Sequence, residues 1–294
     1  MGFAVFSLLV RIISFLPARV LEWLSHPLGR LTWWISPTKR ASTRRNLSCC
    51  FPGMPDPERE RLARRSIRHY AMVALETGMA WYWGRARLES RFSRPEGMKH
   101  LQQAAAAGKG VVILVPHFGS WELLNLWLCC RMDMTSLYKP GRYREFEEKL
   151  LKKRQRFGGT MAPTNRAGIR TLVQALRNGG HVLILPDQDP SEGQGRFAPF
   201  FGIQAYTPVL ASRLCQQTGA RAVVSVCRRL PGGRYRTHFL PVEDAFYDAD
   251  LDFSTAAMNR SVEASIAIDP AQYLWAYKRF KTRPEGEPRF YARP

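Results

Sequence analysis

A histidine and a glutamate near the middle of the chain have a spacing that suits proton transfer. His117 and Glu122 lie in the stretch GVVILVPHFGSWE, residues 110–122, with four residues between them. A carboxylate beside a histidine fixes the tautomer of the imidazole and stabilises the imidazolium that forms when the ring accepts a proton. The pair therefore indicates a reaction in which a histidine removes a proton from a hydroxyl group. On the motif alone, a histidine that is simply hydrogen-bonded in the core stays the alternative.

The same spacing occurs a second time, at His238 and Glu243, so the pattern needs a structural context. Five positions turn a helical side chain by roughly 140°, and in a strand they place two side chains on opposite faces. The spacing works only when the histidine precedes a helix and the glutamate lies inside it. His117 and Glu122 meet this condition. His238 and Glu243 lie in an alternating strand pattern, and we interpret them as structural.

The elements around His117 are predicted to alternate between strands and helices. Residues 111–115 are an unbroken apolar run, which is typical of a strand buried on both faces, and residues 123–130 continue as an apolar helix. Residues 182–185 are a second apolar run that predicts a buried strand. A proline and three polar residues follow it: Asp187, Gln188 and Asp189. Such units indicate βαβ construction with right-handed crossovers, and open α/β sheets bind ligands at the carboxyl ends of their strands.

The remaining elements follow from the same periodicities and turn signals. The expected strands are 135–138, 222–227 and, near an edge, 235–242; the expected helices are 58–84, 98–109, 144–157, 168–178, 207–218, 253–268 and 270–279. Residues 197–208 are interpreted as an aromatic loop because glycines and prolines punctuate them. The predicted fold class is α/β, with a central, mostly parallel sheet flanked by helices.

Other catalytic chemistries have little support in the sequence. Ser120 is not within a GxSxG elbow, and the chain contains no Walker A loop, GxGxxG, HxxxH or HExxH pattern. The six cysteines form no CxxC spacing, which favours reduced thiols in a cytoplasmic compartment over a zinc site. We therefore expect neither a metal nor a cofactor.

The chain is strongly basic, with 44 Lys and Arg against 24 Asp and Glu and a net charge of +20. Such a surface favours nucleic acid, anionic lipid or an acidic protein as a partner. We do not expect nucleic acid, because no known binding module is present and the aromatic residues lie in apolar runs. One face of the helix at 58–84 is rich in arginine; it is either a solvated face or a surface that meets an acidic membrane or carrier. Its arginines are Arg59, Arg61, Arg64, Arg65 and Arg68.

The amino-terminal residues are apolar enough to suggest contact with a membrane. Residues 3–16 are almost wholly apolar, and after Pro17 a second apolar stretch runs to Ile35 with few charges. This stretch ends with Trp33 and Trp34, and a basic flank follows it, as at a cytoplasmic membrane interface: Lys39, Arg40, Arg44 and Arg45. We expect an N-terminal apolar membrane-anchoring helix, either interfacial or marginally spanning. The alternative is a hydrophobic helix packed on the core.

Five motifs in order along nearly the whole chain resemble those of the bacterial lipid A late acyltransferases of the lauroyl and myristoyl type. They are RRNLSCCFPG at 44–53, His117-x4-Glu122 after a buried strand, PDQDP at 186–190, FFGIQAYTP at 200–208 and YLWAYKRFKTRPEG at 273–286. The resemblance implies a glycerolipid-acyltransferase-like fold, with residues 1–36 as a membrane anchor or platform and residues 37–294 as the acyltransferase domain.

The resemblance also implies a reaction and its partners. Such enzymes are bound to the bacterial inner membrane with the catalytic domain on the cytoplasmic face. They transfer a fatty acyl chain from acyl carrier protein to a hydroxyl group of a lipid A precursor, without an acyl-enzyme, a metal or a cofactor. Acyl carrier protein is acidic, and the precursor and the inner-membrane lipids are anionic. The net charge of +20 suits all three.

The same resemblance assigns expected roles to individual residues. His117 would be the general base and Glu122 would orient it. One of two basic residues, Arg154 or Arg156, would stabilise the oxyanion or hold a phosphate. The residues that would line or shape the pocket are Asp187, Gln188, Phe200, Phe201 and Gly202.

Two alternatives to this function stay open from the sequence. The first keeps the reaction but changes the acceptor to another glycolipid, an aminolipid or a phospholipid. The second is a non-enzymatic peripheral protein that binds anionic lipid through a basic helix.

Overall fold

A computed structural model of the chain describes residues 2–138 and 144–291, with the side chains of 2–7, 9, 18 and 144–147 excluded. The helices are α1 Gly2–Phe15, α2 Ala18–Ile35, α3 Pro37–Cys50, α4 Asp56–Tyr82, α5 Arg85–Glu89, α6 Met98–Ala106, α7 Trp121–Cys129, α8 Arg144–Gln155, α9 Arg166–Arg177, α10 Leu210–Thr218 and α11 Leu251–Ile266. The strands are β1 Val111–Leu114, β2 Met134–Tyr138, β3 Thr160–Pro163, β4 His181–Ile184, β5 Gly195–Phe200, β6 Ile203–Pro208, β7 Arg221–Leu230 and β8 Arg234–Pro241.

The centre of the fold is a six-stranded sheet in the order β3-β2-β4-β1-β7-β8. Its first five strands are parallel, and only the edge strand β8 runs antiparallel, against β7. Every residue of β1 is buried, as expected for a parallel strand covered by helices on both faces. The structure is thus mixed α/β with a central, mostly parallel sheet flanked by helices.

The register between β1 and β4 determines which residues meet at the edge of the sheet. Val111 pairs with His181 and Leu114 with Ile184, so partners are 70 positions apart in the chain. Both strands then continue into a proline and a polar residue. Extending the same offset by three residues brings His117 opposite Asp187.

Besides the helices α3 and α5, which were not expected, three stretches differ from the sequence-based expectation. The aromatic stretch is a two-stranded hairpin, β5 and β6, so the helix expected to begin at residue 207 starts at Leu210. Thr207 and Pro208 resemble a helix start, but they end β6, where the buried Thr207 hydroxyl donates to the Ala205 carbonyl. The short strand β3 was also not expected.

The third difference is at residues 270–279, which were expected to form a helix. Only a 3₁₀ turn, Pro270–Gln272, forms there; Tyr273 is extended beside the His117 turn, and the chain then continues in turns. The N–H of Leu274 donates to the carbonyl of His117 at 3.0 Å, and Phe118 forms a bridge pair with Tyr273. Residues 273 and 274 do not form a helix because their backbone groups bond to the turn that carries His117.

The expectation of an N-terminal apolar membrane-anchoring helix is wrong. The 14 residues of α1 rise only about 21 Å, short of the roughly 30 Å of a bilayer's hydrocarbon core. Pro17 separates α1 from α2, and α2 carries Arg19, Glu22 and Arg30. Among the described residues, no helix combines the length and the apolar character that a membrane crossing requires.

Part of the apolar character of residues 1–36 is used inside the protein. Val10 and Leu21 are buried in the same cluster as Met79 of α4. The indole N–H of Trp83 donates to the Ser14 carbonyl at 2.9 Å. Packing against α4 therefore explains apolar positions that the sequence pattern had suggested for lipid. The division of the chain at residue 36 stays a prediction.

Candidate active site

The side chain of His117 lies at the carboxyl end of β1 and is held by Asp187 from the end of β4. The imidazole Nδ1 is 2.8 Å from Asp187 Oδ1, and the backbone N–H of His117 donates to Asp187 Oδ2 at 2.9 Å. The Asp187 side chain is 2% exposed and that of His117 is 14% exposed. Two donors from one residue thus meet one carboxylate, which fixes the orientation of the ring.

The ionisation of Asp187 is set by opposing effects. Burial disfavours the charged carboxylate. The positive charge that His117 carries when protonated, the hydrogen bonds from His117 and the charge of Arg279 outweigh burial and hold the pKa of Asp187 below its ordinary value. Asp187 is therefore ionised at neutral pH. An ionised carboxylate accepts only, so Nδ1 of His117 carries the proton.

The second ring nitrogen of His117 faces an amide. Its Nε2 atom is 3.1 Å from Nε2 of Gln188, the residue next to Asp187. With the proton on Nδ1, the lone pair of His117 Nε2 accepts from this amide group. The ring of Trp121 lies edge-on to the imidazole, with 5.1 Å between ring centroids. A neutral imidazole held in this way can take a proton at Nε2.

The turn after His117 is fixed by its backbone. The N–H of Gly119 donates to the Gln272 carbonyl at 2.9 Å, and the N–H of Ser120 donates to the Cys227 carbonyl at 3.1 Å. Gly119 has a φ of +55°, and a Cβ there would lie 1.8 Å from the Cys227 oxygen. Only glycine fits this position, so the approach of the turn to β7 depends on it.

Glu122 lies in the first turn of α7, and its carboxylate is bound by Arg154 of α8. Arg154 Nε donates to Glu122 Oε2 at 3.1 Å, and Nη2 of the same guanidinium contacts Oε1. From the sequence, Glu122 was expected to orient His117. In the structure, the carboxylate hydrogen-bonded to the imidazole is that of Asp187, and Glu122 pairs with Arg154 instead.

Arg156 lies two positions beyond Arg154 and has a different environment. It donates to the carbonyls of Lys153 at 2.6 Å and Trp83 at 3.1 Å. Burial lowers the pKa of Arg156 to about 10. Its guanidinium joins the end of α8 to the end of α4, whereas Arg154 reaches Glu122.

The expected pocket residues Phe200, Phe201 and Gly202 form the tip of the β5–β6 hairpin. Phe201 and Gly202 both have positive φ, at +50° and +75°, as in a two-residue hairpin turn. The Phe201 ring is 5.6 Å from that of Trp275, and Phe200 packs in the same buried cluster. The cluster also contains Phe118, so the hairpin tip supports the residue next to His117.

The second His-x4-Glu match has separate partners in the structure. His238 Nδ1 is 3.2 Å from Glu96 Oε2, and Glu243 pairs with Arg260. Neither contacts the His117 turn through these bonds. Within the described part of the chain, no group of three or more His, Cys, Asp or Glu residues is arranged to hold a metal ion.

Asp187 was expected in the pocket, but its contact with His117 and the roles of Tyr273 and Arg279 were not expected. Burial and then the charge of Asp187 raise the pKa of Tyr273 well above the ordinary value, and the buried Arg279 helps to lower the pKa of Asp187. A signal for the Asp187 contact was present in the sequence. VVILVPH at 111–117 and HVLILPD at 181–187 align residue for residue, which places His117 and Asp187 at equivalent ends of two strands.

Comparison with known proteins gives a consistent result over nearly the whole chain. Residues 2–282 match the family model described as bacterial lipid A biosynthesis acyltransferase. The Escherichia coli lipid A biosynthesis lauroyltransferase is 32% identical over 281 residues, covering 94% of this chain and 90% of that protein. The E. coli palmitoleoyltransferase of lipid A biosynthesis is 31% identical with the same coverage. The E. coli myristoyltransferase is 25% identical and covers 96% of this chain and 87% of its own length.

These matches confirm the resemblance inferred from the sequence motifs, and they are inconsistent with a non-enzymatic lipid-binding protein. The chain therefore belongs to the bacterial lipid A biosynthesis acyltransferase family and is an acyltransferase.

Proposed function

We propose that this enzyme transfers a fatty acyl chain from acyl carrier protein to a hydroxyl group of a lipid A precursor, with His117 as the general base. The observation that carries the proposal is the bond between His117 Nδ1 and the buried Asp187 carboxylate, which leaves the lone pair on Nε2 to accept a proton. The names of the relatives, which describe acyl transfer in lipid A biosynthesis, support the class of acceptor.

In the proposed reaction, the acceptor hydroxyl gives its proton to Nε2 of His117 as its oxygen attacks the thioester carbonyl. The new C–O bond forms first and the C–S bond then breaks. The thiolate of the carrier protein's prosthetic group takes the proton back from the imidazolium. Asp187 stabilises the transient positive charge on the ring. The acyl chain passes directly from sulfur to oxygen, so no acyl-enzyme forms.

Arg154 and Glu122 are proposed to act as a unit beside this base. Because both side chains are about a third exposed or less, the Arg154 charge is only partly screened by water. Glu122 holds the guanidinium in one place through two contacts, from which Arg154 stabilises the oxyanion of the tetrahedral intermediate or an acceptor phosphate. Gln188 is proposed to contact the acceptor once its amide leaves Nε2. Phe200, Phe201 and Gly202 are proposed as the pocket wall.

The partners in this proposal are acyl carrier protein as the donor, the lipid A precursor as the acceptor, and the anionic lipid of the bacterial inner membrane. The reaction is placed at the cytoplasmic face of that membrane, where a soluble carrier protein and a membrane-resident acceptor can meet. The net charge of +20 supports contact with all three.

The direct test supplies the enzyme with carrier protein charged separately with lauroyl, myristoyl and palmitoleoyl chains and with a tetraacyl lipid A precursor. We expect mass spectrometry to show one added acyl chain with at least one donor, and no acyl adduct on the protein during turnover. His117→Gln should abolish product, while the matched variant His238→Gln should not.

Near-normal turnover in folded His117→Gln would remove the proposed mechanism. Acylation of a phospholipid, an aminolipid or another glycolipid in the same mixture, with the precursor left unchanged, would keep the reaction but replace the acceptor.

A further inference from the structure

A second basic site lies on the other side of the His117 turn, between α2, α4 and the hairpin of β7 and β8. It is a cavity of about 230 Å³, hereafter the arginine cavity. Its arginines are Arg65, Arg68, Arg228, Arg229 and Arg234, and the two carboxylates that line it are Glu22 and Asp269. We propose that the arginine cavity binds a phosphate group of one of the enzyme's substrates, an inference that rests on the proposed function.

The charges of the arginine cavity are not balanced within the protein. Asp269 lies 3.5 Å from Arg65 and 3.7 Å from Arg228, and Glu76, behind the cavity, pairs with Arg229. Five arginines thus face three carboxylates, counting Glu22, and two positive charges remain. In the described part of the chain, no salt bridge joins Arg68 or Arg234 to a carboxylate. A phosphate monoester, with about two negative charges at neutral pH, matches this excess.

One buried nitrogen of the arginine cavity also lacks a partner. The Arg229 side chain is 8% exposed; its Nε and Nη2 atoms bind Glu76 at 2.7 Å each. Its third nitrogen, Nη1, is buried without a hydrogen bond to any described residue. A buried, unsatisfied donor on a charged group is costly, so a ligand oxygen at this nitrogen would be strongly favoured.

His69 gives the arginine cavity a neutral donor or acceptor. Burial, and then the charges of Arg229, Arg68 and Arg65, lower the pKa of His69 to about 2, so its imidazole is neutral at physiological pH. Burial also lowers the pKa of Arg68 from its ordinary value; Glu22 raises it in part, and Arg65 and Arg229 lower it. An anion among these groups would offset the repulsion by neighbouring arginines that adds to the effect of burial in both shifts.

The arginine cavity is joined directly to the turn that carries His117. Arg229 Nη2 also donates to the Gly119 carbonyl at 2.8 Å, and Gln272 bonds to the backbone of Arg229 and of Gly119. A phosphate bound at Arg229 would therefore be separated from the turn that carries the proposed base only by the Arg229 side chain. This position suits a substrate that carries its phosphate at one end and its reacting group further along.

The shape of the arginine cavity favours a small phosphate group over the surface of an acidic protein. Helix α2 closes one side through Glu22 and Ser25, and Glu22 accepts from the N–H of Gly232 at 2.9 Å. A protein helix about 10 Å wide cannot enter such a space to reach Arg229. Two sources carry phosphates under the proposed function. The lipid A precursor carries phosphate monoesters, whereas the phosphopantetheine arm of acyl carrier protein carries a phosphodiester with one negative charge, which matches the charge excess less well.

Phosphate binding is tested first without turnover, by titrating the isotope-labelled full chain with inorganic phosphate and with glucosamine 1-phosphate while following the ring resonances of His69 by NMR. We expect chemical-shift changes that saturate with ligand concentration. The dissociation constant should rise at least about tenfold in Arg68→Gln or Arg234→Gln, the loss expected for one charge-assisted hydrogen bond. The matched control is Arg61→Gln, which removes an exposed arginine of α4 outside the cavity and should bind as the wild type does. No shift, or equal binding in all folded variants, overturns the site.

Steady-state kinetics with each substrate varied in turn then identifies the source of the phosphate. If Arg68→Gln or Arg234→Gln raises KM about tenfold for the tetraacyl precursor alone, the arginine cavity binds the acceptor. If the same variants raise KM for the acyl carrier protein alone, the cavity binds the donor. Unchanged KM values for both, or an equal rise in Arg61→Gln, contradict a substrate role. If the wild type transfers no acyl chain, the proposed function fails while the titration still decides whether the cavity binds phosphate.

Discussion

One carboxylate, Asp187, determines what the imidazole of His117 can do. It accepts from the backbone N–H and from Nδ1 of the same residue, so the ring cannot rotate without losing a buried bond. The proton on Nδ1 keeps the lone pair on Nε2. The histidine therefore has the orientation and the tautomer that a general base needs before any substrate binds.

Glu122 and Arg154 should behave as one unit in catalysis. We expect Glu122→Gln and Arg154→Gln each to lower kcat/KM by about tenfold to a hundredfold, and the double variant to lose little more, because each single change already breaks the unit. The measurement is a double-mutant cycle on kcat/KM with unfolding temperatures as the control for folding. Fully additive losses would show that the two side chains act independently.

His69 should make the stability of the enzyme depend on pH. Its pKa is about 2 in the folded protein and 6.5 when unfolded, so below pH 6.5 the unfolded chain binds a proton that the folded chain does not. As the pH is lowered from 6 to 4, the free energy of unfolding should therefore fall, relative to that of His69→Gln, by about 1.4 kcal/mol for each pH unit. Above pH 6.5 this residue should add no slope. Urea denaturation in phosphate-free buffer measures the difference, and parallel profiles for the two proteins would contradict the buried neutral state.

His117 and Glu122 were predicted as a pair from their spacing, but the carboxylate that holds the imidazole was not predicted. A spacing pattern can suggest a partner only in the same turn. Asp187 instead reaches His117 through the parallel register of β1 and β4, which joins positions 70 apart. Such a contact follows from strand pairing, so it is visible in a sequence only when the two strands are aligned with each other.

The turn between β1 and α7 is the element on which the site depends. It is bonded to Gln272 and to Cys227, and Arg229 supports it from the direction of the arginine cavity. These partners come from β7 and from the segment after α11. The turn that carries His117 is thus held by two separate parts of the chain.

Replacing Gly119 by alanine should displace this turn. The added Cβ would lie 1.8 Å from the Cys227 oxygen, and the positive φ of +55° disfavours a side chain. We expect a loss of acyl transfer of a hundredfold or more and a fall of about 2 kcal/mol or more in the free energy of unfolding. Gly108→Ala is the matched control: its φ is also positive at +68°, but nothing lies within 4 Å of the added Cβ. Normal activity in Gly119→Ala would show that the turn can move without harm.

The buried strands were the most predictable elements, because their apolar runs end at prolines and glycines. β1, β2, β4, β7 and β8 all begin and end within a few residues of the expected positions. The hairpin of β5 and β6 was not recognised, since its turn at Phe201 and Gly202 uses a phenylalanine with positive φ, which sequence patterns do not favour. The segment after Gln272 was mistaken for a helix because its backbone partners belong to the distant His117 turn.

At the level of the whole molecule, charge is the property that the sequence determined most directly. The net charge of +20 needs no fold to be calculated, and the structure gathers part of it in the arginine cavity. The apolar character of residues 1–36 was less informative. Apolar side chains that pack on α4 and those that do not are indistinguishable in the sequence.

The excess charge should make the enzyme bind anionic vesicles in a salt-dependent way. Raising the salt concentration from 0.1 M to 1 M shortens the Debye length from about 10 Å to about 3 Å, which screens charges on the protein surface. We expect co-sedimentation with vesicles rich in phosphatidylglycerol to fall severalfold over this range. Phosphatidylcholine vesicles are the control, and binding to them should change little with salt. Equal salt dependence for both vesicles would contradict an electrostatic contact.

The most direct test of the proposed mechanism is the rate of acyl transfer by Asp187→Asn in single turnover. An asparagine offers one acceptor and one donor group to the two N–H groups of His117, so it disfavours the proton on Nδ1 and moves it to Nε2, where it blocks the base. We expect a folded variant that transfers acyl chains at least a hundredfold more slowly than the wild type. A rate within about threefold of the wild type in folded Asp187→Asn would show that Asp187 does not set the tautomer of a catalytic His117.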